Sequence, residues 1–166
     1  MNTRYDQRMK RSTRTDWRAA LLAGMVAGII ATAVQIVLWL ATGREFPATL
    51  FRDARLAAAI VVGRTVLTPP TAFDASVLLI ATLVHFALSA AYGLVLAPIV
   101  ARLRPSASFA AGAVFGLALY GINMYGFAAL FPWFEVTRDW ITIAAHLVFG
   151  VSIAAVYRWC ATSASR

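Results

Sequence analysis

Residues 19–43 read AALLAGMVAGIIATAVQIVLWLATG, twenty-five positions without Asp, Glu, Lys or Arg between Arg18 and Arg44. A helix needs about 20 apolar residues to cross the hydrocarbon core of a bilayer. This stretch is apolar on every face rather than along one stripe, which predicts a helix surrounded by lipid and other helices. Working outward, three more stretches share the property: 75–101 between Asp74 and Arg102, about 106–134 before Glu135, and 140–157 between Asp139 and Arg158. Of the 166 residues 61% are hydrophobic and 13% charged, where a soluble domain carries about 25% charged residues. Mean hydropathy is +0.73. These values exclude a disordered chain, an ordinary soluble enzyme and a nucleic-acid-binding domain. The single cysteine, Cys160, excludes an internal disulfide framework and a Cys-rich metal site. The expected fold is an all-α membrane protein with four transmembrane helices.

Lys and Arg near the span ends set orientation. Arg4, Arg8, Lys10, Arg11, Arg14 and Arg18 precede the first span, Arg102 and Arg104 lie between the second and third, and Arg158 and Arg166 follow the fourth. The opposite side carries Arg44, Arg52, Arg55, Arg64 and Arg138 together with Glu45, Asp53, Asp74, Glu135 and Asp139. Both termini are therefore expected in the cytoplasm. The organisation is a basic segment 1–18, a four-helix membrane domain 19–159 and a short tail 160–166. Trp17 and Trp159 are expected at the inner interface, with Trp39, Trp133 and Trp140 at the outer one. The first apolar run is too long for a signal-peptide core, so it reads as a retained helix. The basic segment can also meet anionic lipid.

The chain reads as a duplication. Residues 23–35 (AGMVAGIIATAVQ) align with residues 111–123 (AGAVFGLALYGIN), placing Gly24, Gly28 and Gln35 on Gly112, Gly116 and Asn123. After each comes a loop with Pro47 or Pro132, then Arg52-Asp53 or Arg138-Asp139. The second span then carries the row His85, Ser89, Gly93, Ala97, and the fourth carries His146, Gly150, Ala154. Two spans per unit insert the same way up, giving parallel repeats. The Gly-x-x-x-Gly rows let backbones approach closely, within the monomer or between subunits. The Arg-Asp pairs are expected to clamp the outer ends, as exposed ion pairs of small value.

The first outer loop is long. Its middle, Thr49 to Leu67, mixes apolar residues with Arg52, Asp53, Arg55 and Arg64, and its apolar core is too short to span. A helix at the outer interface is expected there. Pro69-Pro70 should stop it, and Asp74 should cap the next span.

His85 and His146 are the only side chains inside the spans, by the bounds above, that titrate near neutral pH. An intramembrane ionisable group is costly in lipid and marks a candidate site. The small-residue rows beneath both histidines predict that the imidazoles point into the bundle. Three roles fit them: neutral rings hydrogen-bonded inside the protein, a proton- or ion-sensing pair, or paired ligands of haem b or a transition metal. Two histidines without a further ligand fall short of a usual zinc site. Gln35 and Asn123, at matched repeat positions, can bond across helices or line a polar cavity with the histidines.

The segments Gly24 to Gly28, Pro69-Pro70, His85 to Ser89, Gly112 to Gly116, Pro132-Trp133 and His146 to Val148 resemble, in that order, small bacterial inner-membrane proteins of the YagU type. Asn123 stands where that pattern has another histidine. The chain is also similar to short proteobacterial proteins labelled sodium:proline symporters, although that transporter architecture needs many more helices than four. The resemblance implies a location in the bacterial inner membrane and a multi-pass topology. No hydrolase triad, zinc-protease, haem-attachment or P-loop motif occurs. The expected function is thus a non-enzymatic accessory or oligomeric membrane subunit, partnered by lipid, by itself or by a larger complex. A haem- or metal-binding electron-transfer module and an oligomeric ion or solute path are the alternatives.

Overall fold

Capping decides where the first span begins. Asp16 accepts from the backbone N–H groups of Arg18 and Ala19, satisfying two donors that a helix start leaves open. Helix α1 then runs Trp17–Ala41. In the computed structural model, which describes residues 15–69 and 72–163, the other helices are α2 (Ala48–Val62), α3 (Ala75–Val100), α4 (Pro105–Gly121) and α5 (Trp140–Ser163). Four segments are long and apolar enough to cross a membrane: Trp17–Ala41, Ala75–Val100, Pro105–Ala129 and Trp140–Ala161. The protein is an all-α, four-span membrane protein. The basic segment's Arg4, Arg8, Lys10, Arg11 and Arg14, and Arg166 of the tail, lie outside the described residues.

The two glycine rows are used within the monomer. A Cβ on Gly24 would strike the Ser89 carbonyl, and one on Gly93 would strike the Ala20 carbonyl, so α1 and α3 touch backbone to backbone. Gly112 and Gly150 interlock in the same way between α4 and α5. The glycine rows therefore close two similarly packed hairpins, α1–α3 and α4–α5. Alanines of α1 (Ala20, Ala23 and Ala27, all 0% exposed) form a common core with Leu96, Ala97, Phe149, Ile153 and Tyr157. Helix α5 is the central element: half of its most apolar stretch is buried, against 22–28% in the other three spans. The two hairpins are also tied at both ends. The Tyr157 hydroxyl accepts from the Asp16 N–H at 3.1 Å near the termini, and Arg44 pairs with Asp139 at 2.7 Å at the far end.

Several expectations need correction. The third span does not continue as regular helix to Phe134. It ends at Gly121, opens into a π-helical turn (Ile122–Gly126), and continues in short 3-10 turns to Thr137. The glycines at 121 and 126 have nothing within 4 Å of an added Cβ, and Pro132 could not have donated to a continuing helix. Arg138 repairs the widened backbone by donating from Nε to the Met124 carbonyl at 2.7 Å. That guanidinium also meets Glu135 at 3.4 Å and lies over the Tyr125 ring. The expected Arg138-Asp139 clamp is therefore absent: Asp139 instead pairs with Arg44 and caps α5 by accepting from the Thr142 N–H.

The loop helix is real but shorter than expected. Gly63, at φ +89°, ends α2 in a backbone region that favours glycine, well before Pro69, and a 3-10 turn (Arg64–Leu67) follows. Pro70 lies outside the described residues. Ala54 and Ala58 of α2 pack on Val77 and Ala81 of α3, so the helix is docked along the bundle. Arg55 donates to the Val66 and Ala72 carbonyls and holds the returning loop. Asp74 caps α3 at the Ser76 and Val77 N–H groups, as the sequence predicts. Trp39 departs from the interface pattern: it is 3% exposed, packed inside the bundle, whereas Trp17, Trp140 and Trp159 are exposed.

Candidate functional site

The polar residues matched by the duplication converge on one cavity of about 350 Å³ in the half of the bundle away from the termini. Gln35 comes from α1, His85 from α3, Asn123 from the π turn and His146 from α5. Thr32, Ser89, Tyr92 and Thr142 add polar atoms, and Leu56, Ile60, Phe127, Phe131, Phe134 and Phe149 supply much of the apolar wall. Helix α2 closes one side through Asp53, Leu56, Ala57 and Ile60. It is held there by Trp133, whose indole N–H donates to the Leu56 carbonyl at 3.0 Å.

On the second hairpin the polar groups bond to one another. His146 Nδ1 lies 2.8 Å from the Thr142 carbonyl, so Nδ1 carries the hydrogen in the neutral ring and donates it one turn back. Nε2 is then an acceptor, and the Asn123 amide nitrogen donates to it at 3.2 Å. The Tyr92 hydroxyl donates to the Asn123 Oδ1 at 3.1 Å. Tyr120 packs edge-on against the same imidazole. This chain satisfies His146 at both nitrogens.

On the first hairpin the matched groups stay open. His85 Nε2 lies over Gly28, whose carbonyl it faces, and approaches the Thr32 hydroxyl at 3.5 Å, the long limit of a hydrogen bond. Its Nδ1 has no partner among the described residues, and neither does the Gln35 amide. A Cβ on Gly28 would lie 2.6 Å from Ser89 Oγ and 2.9 Å from His85 Nε2, so this glycine makes room for the cavity's polar edge.

Charge enters the lining at one residue. Asp53 accepts from Arg52 at Oδ1, through Nε at 2.8 Å and Nη2 at 2.7 Å. Burial pushes the Asp53 carboxyl above its ordinary value. Arg52 and Arg44 oppose that rise, while Asp139 adds to it. The side chain is only 21% exposed. The Arg52-Asp53 pair expected as an exposed clamp therefore forms, but as part of the cavity rim.

Ligation of haem or a metal by both imidazoles would require His146 Nε2 to give up Asn123. The lining contains no Lys or Arg to meet haem propionates, and among the described residues no group of three or more His, Cys, Asp or Glu could hold a metal ion. What the cavity offers chemically is a set of neutral hydrogen-bonding groups beside aromatic and aliphatic walls. Sequence reasoning missed Tyr92, Thr32 and Thr142. Each had a signal: Tyr92 stands two turns after His85 on one face, Thr32 one turn after Gly28, and Thr142 one turn before His146. Nothing local signalled the Phe127, Phe131 and Phe134 wall, because it depends on the chain folding back after the π turn.

No protein-family model matches the chain, and no curated protein or solved structure matches it either.

Proposed function

We propose that this chain is a non-enzymatic accessory subunit of the bacterial inner membrane, with both termini in the cytoplasm, that binds a small molecule in its intramembrane cavity. One observation carries the reading: four polar residues, contributed in equivalent pairs by two repeats, open onto a single cavity within the spans. A pocket of roughly 300–1,000 Å³ with apolar walls and a few convergent polar groups is the usual form of a small-ligand site. The excess of Lys and Arg on the terminal side supports the orientation, and the resemblance to YagU-type proteins supports the location. Because the glycine rows are occupied inside the monomer, association with a partner would use other faces, such as the exposed apolar residues Ile29, Val37 and Val114.

The test is mass spectrometry of organic extracts from protein purified in native-lipid nanodiscs. A small molecule should be retained by the wild type and depleted in Leu88→Trp and Ala57→Phe, which fill the mouth and the α2 side of the cavity. Identical extracts from wild type and both variants would refute the proposal.

A further inference from the structure

Two features of the cavity have bearing on what enters it: where it opens, and which of its groups are unengaged. Of the residues that line it, only Leu88 and Phe127 are themselves exposed, at 43% and 44%. Both lie within membrane-spanning segments, Ala75–Val100 and Pro105–Ala129. Leu83 and Ile122, nearby on the same two segments, are exposed as well, at 61% and 52%. The mouth is therefore bordered by apolar side chains at membrane depth, an entrance suited to a molecule already dissolved in the lipid.

The unengaged groups define the head of that molecule. Gln35 offers two donors and an acceptor, and His85, with Nε2 toward the Gly28 carbonyl, offers Nδ1 as an acceptor; the Ser89 hydroxyl also lacks a partner among the described residues and can donate. All are uncharged in the neutral protein. The one charged lining residue, Asp53, is already held by Arg52, so the cavity lacks a free charge to attract an ionic ligand. Gln35 is half-buried and has no partner among the described residues, so a ligand can bond to it without displacing a protein group. The same lining includes Phe131, Phe134 and Phe149, which favour the face or edge of a planar ring. A neutral ring with carbonyl oxygens fits both sides at once: the oxygens accept from the Gln35 amide and the Ser89 hydroxyl, and the ring packs on the phenylalanines.

Resting on the binding function proposed above, we propose that the cavity takes the headgroup of a lipid-soluble quinone, with its alkyl tail leaving through the Leu88–Phe127 mouth. The first hairpin supplies the hydrogen bonds. The closed Tyr92–Asn123–His146 chain holds the opposite wall in place.

The experiment uses the full chain in nanodiscs and reads the thermal shift on adding decylubiquinone, decylbenzene or dodecyltrimethylammonium, each titrated as a fraction of the lipid. Decylubiquinone should stabilise the wild type most. Its apparent affinity should fall about tenfold in Gln35→Leu, the size expected for one lost hydrogen bond in a dry site. Because Gln35 has no partner among the described residues, that variant should melt no lower than the wild type without probe, and Thr32→Val provides a second variant beside His85 should it fail to fold. Equal stabilisation by decylbenzene would overturn headgroup recognition while leaving a cavity that binds apolar molecules. Tighter binding of the ammonium probe would overturn the neutral class. If no probe binds but the extracts still contain a molecule lost in Leu88→Trp, the quinone assignment fails alone. If the extracts are also empty, the binding function fails with it.

Discussion

The two hairpins carry the same polar residues at equivalent positions and use them differently. In the α4–α5 hairpin, His146 is bonded at both ring nitrogens, to Asn123 and to the Thr142 carbonyl, and Tyr92 completes the chain. In the α1–α3 hairpin, His85 faces the Gly28 carbonyl and has one long contact to Thr32, its Nδ1 stays open, and Gln35 has no partner among the described residues. The asymmetry has identifiable sources. The π turn at Ile122–Gly126 carries Asn123, so its local backbone differs from the regular α-helix α1 that carries Gln35. Tyr92 crosses from the first hairpin to serve the second. One half is thus self-satisfied and the other has unused hydrogen-bonding capacity, a division suited to a wall and a binding edge.

The matched glycines should separate the halves most sharply. An added side chain at Gly116 meets the His146 backbone carbonyl, which can yield only if the helices part. At Gly28 it meets the Ser89 hydroxyl and the His85 ring, which can rotate. Gly116→Val is expected to cost about 3 kcal/mol or more and to lower the melting temperature in mild detergent steeply. Gly28→Ala should cost about 1 kcal/mol or less. Equal losses at the two positions would remove the distinction.

The amides come next. Asn123→Leu strands the Tyr92 hydroxyl and His146 Nε2, for an expected loss of about 1–3 kcal/mol in the same melting assay. Gln35→Leu should be neutral or slightly stabilising. A Gln35 loss as large as that of Asn123 would mean the first hairpin is not open.

The acidic residues give the smallest effects. Asp139→Ala removes both the α5 cap and the Arg44 pair, and is expected to cost about 1–2 kcal/mol. Asp53→Asn should change stability by about 1 kcal/mol or less, with a characteristic pH dependence. Because burial raises the folded-state value of Asp53, the folded protein holds a proton there that the unfolded chain has released. Between the ordinary carboxylate range and the raised value, its contribution weakens as pH rises; above the raised value it is constant. The wild type should therefore gain stability relative to Asp53→Asn as pH is lowered from neutral through that window, measured by parallel melts. A difference independent of pH would show that Asp53 is not desolvated.

How much of this was legible beforehand differs from residue to residue. The spans were, because about 20 residues without charge have few alternatives, and so were the Asp74 cap and the matching of Gln35 to Asn123. The inward-facing histidines were readable because small residues repeat every four positions beneath them. The end of α4 was not, since neither Gly121 nor Gly126 breaks an apolar pattern and the π turn depends on Arg138 reaching back to the Met124 carbonyl. Nor was the partner of Asp139: proximity in sequence suggested Arg138, whereas folding brings Arg44 to it across 95 residues.

From its sequence alone this protein was bound to be an apolar four-span helix bundle made of two similar units, because hydrophobic length and small-residue spacing act locally along each helix. That the polar residues of both units share one cavity, that one imidazole is bonded at both nitrogens and the other is not, and that α2 covers the site all came from packing between helices. Those outcomes depend on which side chains meet across helices far apart in the chain, and a helix carries no record of its neighbours in its own periodicity.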